Sequence, residues 1–311
     1  MGKKLFESIE DWGNGVITTL EPDAIPPNAS PRGRNAHLES AASGKAAPAK
    51  RRGMSTMNRT AITGSPVVLG QYAFKRRSGL TFTSFHLIVS DGGRLDSMGT
   101  DGTLTTINAS AFTAGTKIPI FATANNLCFI VNGTDAKKYD GSSVTGFGIT
   151  APATAPTLAD AGSGSNHNGT YEARVTFYNS STGHESSAGP TSGTVTVTNN
   201  AIDWTSIPVS ADAQVDARKL YIRNTSTQSE FFFVDTISDN STTTYQSDVL
   251  DADLLLIGPD EDENDPPPSG LIGIVWHKSR MFGFDSSNLY YSRVGLPEAF
   301  DPDNFEPINP D

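Results

Sequence analysis

FHLIVSDGGRLDSMG (Phe85–Gly99) and LCFIVNGTDAKKYDG (Leu127–Gly141) are two versions of one pattern. Each opens with an apolar run, Phe85–Val89 or Leu127–Val131. Each then turns, at Asp91-Gly92-Gly93 or Asn132-Gly133. A short strand follows, Leu95–Met98 or Ala136–Tyr139, and a second turn closes the cycle at Asp101-Gly102 or Asp140-Gly141. Apolar runs joined by Asp-Gly and Asn-Gly predict β-hairpins, because the tight hairpin turn needs positive φ. Recurrence after roughly 40 residues fits one propeller blade per cycle. A generic antiparallel sheet with ordinary turns accounts for the same pattern.

Outward from this stretch, Val67–Phe74 reads as the first strand and Lys75-Arg76-Arg77-Ser78-Gly79 as its turn, with Leu80–Val89 returning antiparallel. Pro- and Ala-rich Ala151–Pro156 marks a boundary. Beyond it, Tyr171, Ala173, Val175 and Phe177 alternate with Glu172, Arg174, Thr176 and Tyr178, the period of a half-buried strand. Gly183–Ser187 reads as a turn. Further strands are expected at Thr194–Thr198, Ala201–Trp204, Leu220–Arg223, Glu230–Ile237 and Thr243–Ser247, which together predict a β-sandwich. Asp248–Pro268 reads as an acidic, proline-stiffened linker. Gly270–Met281 then reads as one buried strand holding Trp276, and Phe282–Tyr291 as a hairpin through Asp285–Asn288. Leu296–Asp311 has no regular period.

The expected architecture is all-β: an extended basic arm at 1–60, propeller-like blades at 61–150, a sandwich at 151–257, and a linker with further blade strands at 258–311. Within the arm, Leu5, Phe6, Ile9 and Trp12 have near-helical spacing, the prolines of 21–35 forbid regular structure, and Asn35–Leu38 reads as one edge strand.

Charge is divided unevenly. Residues 1–77 hold 12 Lys/Arg against 6 Asp/Glu, net +6, whereas 78–311 hold 11 against 28, net −17. Arg32, Arg34, Arg51, Arg52 and Arg59 are the candidate assembly residues of the basic arm. They suit an acidic partner, a neighbouring copy or nucleic-acid phosphates; a solvated tail is the plain alternative. No aromatic occurs between Gly13 and Gln71, so base stacking is unsupported there.

Catalytic chemistry finds no foothold. There is no phosphate-binding G-x-x-x-x-G-K-[ST] loop and no H-E-x-x-H helix. His37, His86, His167, His184 and His277 are scattered. Asp91, Asp101 and Asp140 precede turn glycines, which accounts for them. Asp260–Asp265 lacks the spacing and glycine of a calcium loop. Cys128, the single cysteine, sits in an apolar run and reads as an inert core thiol. No apolar run reaches a membrane-spanning length. The start MGKKLFESIEDWGNG lacks a signal-peptide core, and Phe6 breaks a Gly2 myristoylation match. The expectation is a non-enzyme without cofactor, metal or membrane contact, made in a reducing cytoplasm.

Several segments carry a resemblance. Leu20-Glu21-Pro22-Asp23-Ala24-Ile25-Pro26-Pro27-Asn28-Ala29-Ser30 through Arg34-Asn35, then Arg51-Arg52-Gly53, is similar to the opening of tail proteins of tailed bacteriophages. So are Asn132-Gly133-Thr134-Asp135 with Tyr139-Asp140-Gly141, and Asn288-Leu289-Tyr290-Tyr291-Ser292 with Pro297-Glu298-Ala299-Phe300-Asp301. The chain resembles the nozzle, or tail tubular, component of short-tailed phages, and 151–257 resembles a fibronectin type III module. This resemblance implies a β-propeller body and a ring of identical subunits, commonly a hexamer, around the DNA channel. It also implies a portal or adaptor protein as neighbour, transient non-specific contact with genomic DNA, a place in the virion tail, and no catalysis. About three cycles are legible, fewer than a closed propeller's four or more. Either neighbours complete the body or the chain is a truncated or cleaved form. Alternatives are a carbohydrate-binding or glycan-hydrolysing propeller with an accessory sandwich, and a capsid-decorating protein.

Overall fold

The structure, a computed structural model, describes residues 36–40, 46–50, 62, 64 and 66–308. The chain divides into two compact units, Met1–Met57 and Asn58–Asp311. In the first, β1 (Ala36–Ser40) pairs antiparallel with β2 (Ala46–Lys50). The single edge strand expected near Asn35–Leu38 is therefore one half of a hairpin. The amphipathic start at Leu5–Trp12 lies outside the described residues.

The second unit is all-β, and every strand pair in it is antiparallel. Three four-stranded meanders recur. The first is β3 (Val68–Ser78), β4 (Thr81–Ser90), β5 (Leu95–Met98) and β6 (Leu104–Asn108). The second is β7 (Ile120–Ala124), β8 (Leu127–Val131), β9 (Ala136–Tyr139) and β10 (Val144–Gly146). The two sequence cycles thus occupy equivalent places, the second and third strands of successive meanders. Their turns follow the expected chemistry: Gly93, Gly102, Gly133 and Gly141 all have positive φ. Asp101 accepts from the Thr103 amide and hydroxyl, and Asp140 from the Ser142 and Ser143 amides. Asp91 differs, because its carboxylate reaches across to the Val67 amide at 3.0 Å.

After β10 the chain enters a two-sheet module. One sheet is β11 (Thr157–Asp160), β15 (Ile202–Thr205) and β18 (Tyr245–Ser247). The other has β12 (His167–Asn179) at its centre, paired on one edge with β16 (Ala217–Asn224) and through it with β17 (Phe232–Ile237). On its other edge β12 pairs with β13 (His184–Glu185) and β14 (Val195–Asn200). Tyr171, Ala173 and Val175 of β12 face Ile202 and Trp204 of the opposing sheet in one core, as the alternation requires. The stretch 248–268 is not a free linker. It forms a 3-10 turn at Asp251–Asp253, bridges β17 at Phe232↔Ile257, and crosses to Asp265↔Phe300.

The third meander is β19 (Gly273–His277), β20 (Arg280–Phe284), β21 (Asn288–Ser292) and β22 (Phe300–Pro307). The single strand expected over Gly270–Met281 is in fact β19 and the start of β20. Lys278 and Ser279 make the turn at φ 45° and 60° without the Asn or Gly that normally announces it. The aperiodic tail contains β22, an edge strand that tolerates Pro302 and Pro307 because an edge needs no unbroken ladder.

The meanders stack face to face. Leu127, Phe129 and Val131 of β8 pack against Leu271, Ile274, Met281 and Phe300, while Cys128 and Ile130 pack against Phe74, Leu87 and Leu95. The run LCFIV is apolar at every position because its sheet is covered on both faces. The two-sheet module is spliced into the chain between the second and third meanders, yet those meanders remain in direct contact. Ile149, Phe177 and Val215 form a small core where the module joins the stack.

Candidate interaction surface

Among the described residues two ends of the stack carry no covering element, and they differ in chemistry. At one end, β3 and β4 outrun their sheet. β5 pairs with β4 only over His86–Val89, so from Lys75↔Ser84 to Ser78↔Thr81 the two strands pair with each other alone. The expected turn at Lys75–Gly79 is thus mostly strand, with the reversal at Gly79. One face of this ribbon leans on the second meander: Arg76 lies against Gly141, and the Arg77 amide donates to Asn126 Oδ1 at 3.1 Å. By strand alternation Lys75, Arg77, Phe82 and Ser84 share the other, outward face. Leu80 at the tip is 93% exposed and Phe82 67%.

At the other end, the face of the third meander turned away from the stack carries Val275, Phe282, Phe284, Leu289 and Tyr291 in cross-strand register, with Glu306 beside Leu289. Val275 is 55% exposed and Phe284 41%. Arg280 lies over the Tyr291 ring. Asp301, Asp303 and Glu306 line the neighbouring edge strand. Burial raises the pKa of Asp262, and the adjacent Asp301, Asp265 and Asp303 carboxylates raise it further. Asp262 thus adds to the negative charge gathered beside that edge strand.

The remaining polar groups hold modules in place. Glu298, just before β22, pairs with Lys138 of β9, both side chains 3% exposed. Glu298 also accepts from the Gly148 amide at 3.2 Å. Buried His184 lies within reach of this pair. Desolvation lowers its pKa, Glu298 opposes that, and Lys138 adds to it. His167, also buried, stacks edge-on against Tyr171, whose hydroxyl donates to Asp251 at 3.0 Å. His86 contacts Gln71 on the first meander, and His277 is exposed beside the β19–β20 turn. The four histidines whose side chains are described, His86, His167, His184 and His277, therefore do not converge. Among the described residues no group of three His, Cys, Asp or Glu side chains is placed to hold a metal ion. Cys128 is fully buried and its thiol pKa is pushed up to about 12 by desolvation, so the thiolate needed for nucleophilic chemistry is suppressed.

The side chains of Arg32, Arg34, Arg51, Arg52 and Arg59 lie outside the described residues. By sequence Lys75-Arg76-Arg77 read as turn residues; the structure makes them part of a strand surface. The available signal was three cations followed by alternating Leu80 and Phe82, a pattern of strand rather than turn.

No protein-family model matches this chain, and neither does any curated protein sequence.

Proposed function

We propose that this protein is a structural subunit of a bacteriophage tail, a nozzle-like ring component around the DNA channel. The three meanders act as propeller-like blades and the two-sheet module as a fibronectin type III-like appendage. One observation supports the reading above others: the middle meander is covered on both faces, while the third presents an aromatic and aliphatic face to solvent. A stack that cannot cover its own end acquires that cover from neighbours, and a ring supplies it without leaving an open filament. The function is geometric. Rigid β-units enclose a lumen, and the net −17 of residues 78–311 lets DNA slide rather than adhere. A portal or adaptor protein would seat the ring on the virion.

Mass measurement in solution with negative-stain imaging tests this reading. Closed rings, sixfold by expectation, support it. A monomer at all concentrations that binds glycans supports the carbohydrate-binding alternative. Rings found by particle labelling on the capsid surface rather than the tail would make it a decorating protein.

A further inference from the structure

We infer that one copy docks head to tail on the next, the outward face of the β3–β4 ribbon lying on the outward face of the β19–β22 sheet. The inference rests on the ring reading and names the surfaces that make it.

Three features single out a second copy as the occupant. The first is charge. The ribbon offers Lys75 and Arg77 around Phe82 and Leu80; the sheet offers Val275, Phe284 and Leu289 with Glu306 in register beside Leu289, and Asp303 further along the same edge strand. Apolar centre meets apolar centre, and cations meet carboxylates at the rim. The second is polarity of the stack. Its two ends carry different surfaces, so the contact is heterologous and closes into a ring when the rotation allows. A two-fold pairing of the sheet with itself would leave Lys75 and Arg77 of the ribbon without the carboxylates that complement them. The third is stability. A two-stranded ribbon is marginal alone in water, and this one gains cover on its exposed face by docking.

Strand addition along β22 beyond the Asp265↔Phe300 bridge is the competing geometry. Pro302 and Pro307 on β22 remove amide donors from that edge, and Asp301, Asp303 and Glu306 charge it. The sheet is therefore built to be met on its face.

A charge swap tests the pairing. In K75E/R77E the ribbon is acidic and meets an acidic sheet rim; in D303K/E306K both are basic. Sedimentation velocity at low ionic strength should show wild-type rings and at least tenfold weaker self-association for each variant alone. An equimolar mixture should regain rings, because every interface in an alternating ring is again complementary. Raising salt toward 0.5 M should weaken the wild type, as screening predicts. A second measurement does not depend on those variants: F82C/L289C should yield an intermolecular disulfide ladder on oxidation, with Cys128 buried and silent. If each charge variant assembles like wild type, or no ladder forms while rings persist, the surfaces are wrong and the ring reading stands. If correctly melting variants fail to assemble when mixed, the pairing is likewise overturned. If the wild type is monomeric throughout, both readings fall.

Discussion

Replacing Glu298 by alanine should unlock the joint between the second and third meanders. Lys138 and Glu298 are each 3% exposed, and the Gly148 amide shares the same carboxylate. Removing the carboxylate leaves an ammonium with no opposite charge in a water-poor site and strands one amide. Breaking a buried pair from one side costs about 3–5 kcal/mol. At 1.4 kcal/mol per decade that is a loss of roughly 10² to 10⁴ in the folding equilibrium. Replacing both partners with apolar residues of similar volume, K138M/E298L, removes the orphaned charge and should recover most of the loss. Urea unfolding followed by tryptophan fluorescence is a suitable assay, because Trp276 packs on the core between these meanders. If E298A loses less than about 1 kcal/mol, the ammonium reaches water and the site is not as dry as argued. If the double variant is as unstable as the single, orphaned charge is not the cause.

Other expectations follow from particular contacts. Burial depresses the pKa of both His167 and His184, with Asp251 and Asp248 partly opposing it at His167. The unfolded chain then binds more protons below about pH 6.5, so stability should fall as pH drops through that value. Melting temperature between pH 8 and 5 should show this, and a slope unchanged in H167Q/H184Q would assign it elsewhere. Arg218, fully buried, donates to Asp239 Oδ1 at 3.0 Å, and Asp239 also accepts from the Ser241 and Thr242 amides. Asp239→Ala should lower the melting temperature, with Asn partly restoring it; a neutral result would mean that the Asp239 and Pro208 carbonyls, which also accept from Arg218, suffice. Gly93 has φ +77°, and a Cβ there would sit 2.1 Å from the Phe112 carbonyl oxygen. Gly93→Ala should cost at least about 1–3 kcal/mol; an unchanged urea midpoint would show that the turn relaxes freely. Cys128 should resist thiol reagents in the native state and react only at the rate of unfolding, while rapid labelling would refute its burial.

Legibility varied with local chemistry. Turns made by Asp-Gly or Asn-Gly were readable because positive φ leaves a residue signature, as at Gly102, Gly133 and Gly141. The Lys278-Ser279 turn adopts the same backbone region with residues that do not announce it, so β19 and β20 read as one strand. β22 was hidden by its prolines, and β6 by its exposed threonines, since an outer strand need not alternate cleanly. The ribbon does not read as strand because Lys75, Arg76 and Arg77 are polar. A strand that overhangs its sheet needs no apolar face toward its own core.

What the chain alone determined is local: an antiparallel all-β body, its recurring hairpins, the alternating face of β12, and the fully apolar character of LCFIV. Periodicity and turn chemistry are properties of neighbouring residues and survive without a tertiary context. Which surfaces meet was decided only in three dimensions. Phe129 finds Met281 and Phe300 across the whole two-sheet module, and Lys138 finds Glu298 160 positions away. No local pattern encodes a partner at that separation, because long-range contacts depend on shape and burial that exist only once the sheets have stacked.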